Sequence, residues 1–237
     1  MIICAVLACA SLIACSLIIA KPNLLFRRAG GISVKGYAAE RVVSDAASWN
    51  CTISFNDMSP QRAVAKTRAD CATAVNFFKA AGISEGEIET GAITISEIKK
   101  KNSEGNDTNE IAGYSAQVRI SVSSGNIKTV ETLFKRSGEL VEKGVMIWAD
   151  VPQYFYTNIE ALKINLIGKA TINARERALK LTESGGGKLG AIVSASQGVF
   201  QITQPLSTET SSYGVYETGT VEKDVKCIVN VEFAIER

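Results

Sequence analysis

The sequence predicts an α+β fold: a mostly antiparallel sheet with helices packed on it, preceded by an N-terminal transmembrane or signal helix. Three observations carry that expectation. Two-residue alternation runs through the last strand, where Val225, Cys227, Val229, Val231, Phe233 and Ile235 share one face and Lys226, Asn230, Glu232 and Glu236 take the other. Two long segments instead space their apolar side chains at three and four residues, the period of a helix resting one face on a sheet. Residues 2–20 carry no charge. At 1.5 Å per residue they make about 28 Å of helix, close to the hydrocarbon thickness of a bilayer.

Only Ser11 and Ser16 interrupt that apolar run, whereas a soluble helix of this length needs a polar face. We read it as a retained anchor, with a cleaved signal sequence or lipoprotein signal as the alternative. Leu12-Ile13-Ala14-Cys15 resembles a bacterial lipobox, but Ser16-Leu17-Ile18-Ile19-Ala20 continues the run past the point where a lipobox ends. Cys4, Cys9 and Cys15 are then simply small lipid-compatible residues. Residues 1–28 are assigned as anchor and stem, and 29–237 as the folded domain.

Ile32-Ser33-Val34-Lys35-Gly36 begins a strand, and a longer one follows with Val43, Ala47, Trp49, Cys51, Ile53 and Phe55 on one face. Ser59-Pro60 marks a helix start, a capping side chain followed by proline at the first helical position. Val64, Thr67, Cys71, Ala74, Val75, Phe78 and Ala81 form its buried stripe, and Gly82 its stop. Strands are expected near 87–98 and 110–123, joined by a polar hairpin loop over Lys99–Asp107. A short helix then carries Ile127, Val130, Leu133 and Phe134, and Val145–Phe155 reads as one strand. The longest helix spans about 158–183, with Ile167, Ala170, Ala174, Ala178 and Leu181 as its packing stripe. Gly185-Gly186-Gly187 ends it, strand 190–202 follows, and 203–220 is a Ser/Thr/Gly-rich loop. The order strand-helix-strand-strand occurs twice, which suggests two related halves.

Composition removes several function classes. The chain has no histidine, so Ser-His-Asp, Cys-His and His-zinc chemistry are all excluded. Of 26 basic residues, Lys21, Arg27 and Arg28 precede the domain, leaving 23 against 24 acidic ones. A near-neutral domain does not suit a nucleic-acid binder, which must neutralise phosphates. Cys51, Cys71 and Cys227 have no disulfide or metal spacing and read as buried free thiols. Gly185-Gly186-Gly187-Lys188 is not a phosphate loop, because Thr182 and Leu189 break the motif and the helix comes before the glycines. Glu85, Glu87 and Glu89 would share one face of a strand, most simply the solvated one. Asn50-Cys51-Thr52 and Asn106-Asp107-Thr108 match the glycosylation sequon, and Lys99-Lys100-Lys101 reads as part of a solvated loop. Trp49, Trp148 and Tyr114 are expected as core or sheet-face aromatics. No catalytic, cofactor-binding or metal-ligating residue is assigned and no cofactor is expected. Carboxylates such as Glu87, or Cys51, are the chemistry that an enzyme would have to use.

Several segments in order resemble one family: Ile32–Gly36, Ala39-Glu40-Arg41, Asp45-Ala46-Ala47-Ser48-Trp49, Gly82-Ile83 with Ile88 and Thr90, Gly113-Tyr114, Ala170–Ala178, Lys188-Leu189-Gly190 and the closing strand. Together they resemble the SIMPL-domain family over residues 31–236, and Ser194–Phe200 resembles a membrane-anchored bacterial branch of it. The resemblance implies a two-layer fold, a cell-envelope address facing the periplasm, an association with oxidative-stress defence, and ring-like oligomers in some members. Ser44-Asp45 departs from a frequent Pro-Asp, and Gly36-Tyr37-Ala38 from Gly-x-Gly, departures expected to alter at most a turn. The charges after the apolar run favour a cytoplasmic domain by the positive-inside rule. We side with the bacterial inner membrane and a periplasmic domain, because so few charges decide topology poorly. The expected function is a non-enzymatic envelope protein that self-assembles or scaffolds, held to the membrane through residues 2–20. The alternative is a ligand- or protein-binding adaptor, in signalling, that meets an unknown partner through loop 203–220.

Overall fold

The computed structural model describes residues 31–236. The expected anchor at residues 2–20 lies outside the described residues. Contacts divide the described chain into a central unit, residues 41–160 and 201–225, and a terminal unit, residues 31–40, 161–200 and 226–236.

The central unit is built on β2 (Ala46–Asp57) and β5 (Asp107–Ser124), paired antiparallel without interruption from Ala47↔Ser124 to Asp57↔Tyr114. β3 (Ile88–Thr90) and β4 (Thr94–Lys101) line the far side of β5. β6 (Ile147–Ala149) and β7 (Gln153–Phe155) line the far side of β2. Alternation sends Ala47, Trp49, Cys51 and Ile53 to one face together with Ala116, Val118, Ile120 and Val122, and all eight are buried.

Helix α1 (Pro60–Ala80) lies on that face. Ser59 caps it by accepting from the Arg62 N–H. Gly82 ends it at φ +99°, where a side chain would be strained; Ile83 N donates to Phe78 O and Gly82 N to Lys79 O, a Schellman stop. Trp49 forms the centre of the core, its ring edge-on to Phe78 at 5.4 Å and to Phe134 of α2 (Ile127–Arg136) at 6.4 Å. Its indole N–H donates to Asp150 O at 2.8 Å. The short α3 (Glu139–Glu142) adds Leu140 to the same core.

In the terminal unit, α4 (Ile159–Ser184) buries a strict fourfold row: Leu162, Leu166, Ala170, Ala174, Ala178 and Thr182. The alanines let β1 (Gly31–Val43) approach closely at Gly36, which faces Ala170 and Ala174. Tyr37 N donates to Asn173 Oδ1 at 3.1 Å and Arg177 donates to Lys35 O at 3.1 Å, so α4 side chains occupy backbone groups of β1. β8 (Lys188–Gln197) pairs antiparallel with β11 (Glu222–Glu236), with shifts in register around Phe233. β1 also neighbours β11. β9 (Gln201–Thr203) and β10 (Val215–Tyr216), which belong to the central unit, pair parallel with each other.

One connection pattern occurs twice. In β2-α1-β4-β5 the first strand neighbours the last, and the last neighbours the strand after the helix. β1-α4-β8-β11 repeats that order, the physical basis of the two halves suggested by the sequence.

Several expectations need correction. Val43 is exposed and ends β1, because Ser44-Asp45 interrupt the strand: Ser44 N bonds Val221 O, and Asp45 accepts from Thr157 N and Thr157 Oγ1. Gly36-Tyr37-Ala38 lies within the first strand, as the resemblance implies, so that departure alters no turn. Val145–Phe155 is two strands, since Val151-Pro152 lie between them and proline has no N–H to give the ladder. Strand 190–202 breaks at Gly198-Val199-Phe200. Lys99–Lys101 belong to β4 rather than to a loop. Leu181 is exposed, and Thr182 takes its place in the packing row by donating its hydroxyl to Ala178 O.

Candidate functional site

The three glutamates do not converge on one strand face. Glu85 and Glu87 sit in a 3₁₀ turn before β3, and Glu89 is on β3 itself. Glu85 pairs with Lys79 at 3.1 Å. The Glu87 carboxylate accepts from Ser84 N at 2.8 Å, closing a capping box. The Ser124 hydroxyl, and then the Ser84 N–H, hold Glu87 below the usual carboxylate range. Its role is to close a turn.

Cys51, Cys71 and Cys227 are buried free thiols. Desolvation, then the Cys71 thiol and Asp150, pushes Cys51 up to about 12. Burial also raises Cys71 and Cys227. The thiolate is the reactive form, so these are poor nucleophiles at neutral pH. Among the described residues no three Cys, Asp or Glu side chains gather as a metal would require. Gly185–Gly187 are a helix stop, as expected: Gly186 has φ +74°, and Gly187 N donates to Thr182 O.

Lys223 was missed. It is buried, its ammonium donates to Thr220 O, and burial lowers its pKa while Glu217 partly opposes that. The signal was present, since Lys223 falls in phase with Val225 and Cys227 on the apolar face of β11. Loop 203–220 is tied down: Gln201 exchanges two hydrogen bonds with Ser211, Glu217 N bonds Ile202 O, and Tyr154 N bonds Thr218 O. Leu206 and Tyr213 nevertheless stand in solvent, and Leu206 has φ +62°.

Three surface regions are accessible to solvent. A groove between α1 and the β3–β4 side holds cavities of about 420 and 350 Å³, and Arg68 lines both. Its walls are apolar, chiefly Val64, Val75, Ile93 and Ile95. The second surface is β8, which is exposed along nearly its whole length and, among the described strands, pairs only with β11. From Leu189 to Gln197 it carries no charge. The third is the sheet face opposite α1, where Ser48, Asn50, Thr52 and Ser54 on β2 lie beside Ser123, Ser121, Arg119 and Gln117 on β5. Trp148 of β6 is opposite Thr52 on this face and is 67% exposed, so it is a sheet-face aromatic while Trp49 is core.

Fold and surfaces define an α+β domain made of two β-α-β-β units with open sheet edges. The chain belongs to the SIMPL family, whose model, described as a protein of unknown function (DUF541), matches residues 32–233. No curated protein matches the chain. Among the described residues no helix is long and apolar enough to cross a membrane.

Proposed function

We propose that this SIMPL protein is a non-enzymatic scaffold of the bacterial cell envelope, anchored in the inner membrane through residues 2–20 with its domain in the periplasm, and that it self-assembles through β8. The observation that carries this reading is the chemistry of that strand. An exposed, uncharged edge presents unpaired N–H and C=O groups to any matching strand, and soluble proteins normally protect such edges with charge. β4, the equivalent strand of the central unit, has Glu97 and Lys99–Lys101 along it, and β1 has backbone groups taken by Asn173 and Arg177. β8 has neither protection and exposes Ile192 and Val193. Support of oxidative-stress tolerance belongs to this reading as the family resemblance implies.

The test is the mass of the full chain in lipid nanodiscs or detergent, by light scattering during size-exclusion chromatography. A discrete oligomer is expected, and Val193→Lys should reduce it to a monomer with unchanged circular dichroism. A monomeric wild type, or an unchanged mass for Val193→Lys, refutes assembly through β8. A second reading, a protein-binding adaptor, is favoured by exposed Leu206 and Tyr213 on loop 203–220. It requires that Leu206→Ser with Tyr213→Ser abolish partner capture while the oligomer mass stays the same.

A further inference from the structure

We propose that the sheet face opposite α1 binds a neutral glycan strand, with Trp148 as its stacking platform. This goes beyond the assembly reading and involves a different surface.

Trp148 is the only tryptophan of the two in the chain that meets solvent, since Trp49 is fully buried. A single exposed aromatic is ordinary on a protein surface; what sets Trp148 apart is the polar sheet face on which it lies. The Trp148 indole N–H donates to Ser54 Oγ at 3.3 Å, which fixes one edge of the ring against β2. A tethered ring offers a π face at little entropic cost, and its negative quadrupole attracts weakly positive C–H groups.

The surroundings are those of a polyol site. Register places four cross-strand rows on this face: Glu89–Ser121–Asn50, Arg119–Thr52–Trp148, Thr94–Gln117–Ser54 and Ser96–Ser115–Asn56. Strands about 4.8 Å apart, with same-face residues about 6.8 Å apart along each, make a regular grid of hydroxyls and amides. Gln117, Thr94 and Ser96 are exposed, and each hydroxyl and amide both donates and accepts, as sugar hydroxyls require. The uninterrupted β2–β5 register keeps that grid regular. A cavity of about 540 Å³, lined by Ala46, Ser48, Ser123 and Phe155, opens at one end of the face.

Charge separates a neutral sugar from an anionic one. The guanidinium of Arg119 is paired with Asp150 at 3.2 Å, and the remaining charge in these rows, Glu89, is negative. An acidic polysaccharide would find no free cation in the four rows, whereas a nucleic acid would also need a basic face that is absent from them.

The experiment uses the full chain in lipid nanodiscs and reads tryptophan emission and calorimetry against chitohexaose, cellohexaose and maltohexaose, with hexagalacturonate as the anionic control. Binding of at least one neutral hexasaccharide should be saturable and should change the solvent-exposed component of the emission. Trp148→Phe should keep that binding, Trp148→Ala should weaken it about tenfold, and Gln117→Leu should weaken it severalfold. Both sites are exposed, so an unchanged urea midpoint will verify the fold of each variant. The proposal is overturned if no neutral hexasaccharide binds at millimolar concentration. Equal binding by Trp148→Ala or tighter binding of hexagalacturonate also overturns it. So does a change in oligomer mass on Trp148→Ala without any sugar binding, which would make the face an interface between copies.

Discussion

Replacing Gly36 by alanine tests how α4 is held on β1. A Cβ at position 36 would stand 2.0 Å from Ala170 O, 2.8 Å from Ala174 Cβ and 2.9 Å from Ala174 N. None of these atoms can escape by changing rotamer, because two are backbone and the third is the first carbon of an alanine. Relief requires the helix to retreat by about 1 Å or more, and a gap of that size forfeits a quarter to a half of each dispersion contact along the row. Leu162, Leu166, Ala170, Ala174 and Ala178 all lie on that row. Overpacking typically costs 1–3 kcal/mol, and with no compliant neighbour we expect about 3 kcal/mol. Urea unfolding of the full chain, followed by far-UV circular dichroism, measures it. The control is Gly138→Ala: Gly138 has ordinary helical angles and nothing within 4 Å of the added carbon. There the reduced freedom of the unfolded chain should stabilise the protein by about 0.5 kcal/mol. If Gly36→Ala unfolds at the wild-type midpoint, close approach of α4 to β1 is not what stabilises the terminal unit.

Leu206 occupies the third position of a turn closed by Ser207 N to Gln204 O, at a φ that glycine prefers; Leu206→Gly should raise the thermal midpoint, by about 0.5–1 kcal/mol of stability. A lower midpoint would mean the leucine side chain is held by contacts worth more than its backbone strain. Cys51 should resist a thiol reagent at pH 8 until urea is added, since burial holds its thiol at about 12. The unfolded thiol ionises first, near 9.0, so Cys51 stabilises the fold below that pH and loses its contribution as pH climbs towards 12. Labelling of the native protein at pH 8 would contradict its burial. Asp57 is held below its ordinary 3.8 by the Ser59 N–H and then by Arg62, so its contribution is present above that value and is lost as pH falls through the lower, folded one. Asp57→Asn should therefore flatten the acid limb of the stability profile, and an unchanged limb would exclude this cap.

Local order was legible because it is written in neighbouring residues. The β11 alternation, the Ser59-Pro60 start and the Gly82 stop each depend on side chains within a few positions of one another. Each is present in the structure. The errors have a common cause, partners distant in sequence. Val145–Phe155 looks continuous, yet Asp150 bonds Asn50 O and the segment splits to serve β2 twice. Leu181 fits a helical stripe as well as Thr182 does, and only packing selects the threonine. Glu87 looks like a candidate acid until Ser124, distant in sequence, is found beside it.

The same division holds for function. The absence of histidine, the near-neutral domain and the apolar run at residues 2–20 are properties of composition, so they restrict chemistry and partners without any fold. Family membership is likewise carried by the order of residues along the chain. Which surfaces stay open is a different kind of fact. β8 has the same apolar and polar letters as a buried strand, and Trp148 the same letter as Trp49. Whether a strand has one neighbour or two, and whether an indole is roofed by a helix or left in water, depends on chain segments up to about a hundred residues away being brought together. Burial is a property of that arrangement, and for this reason only the folded protein separates the core from the contact surfaces.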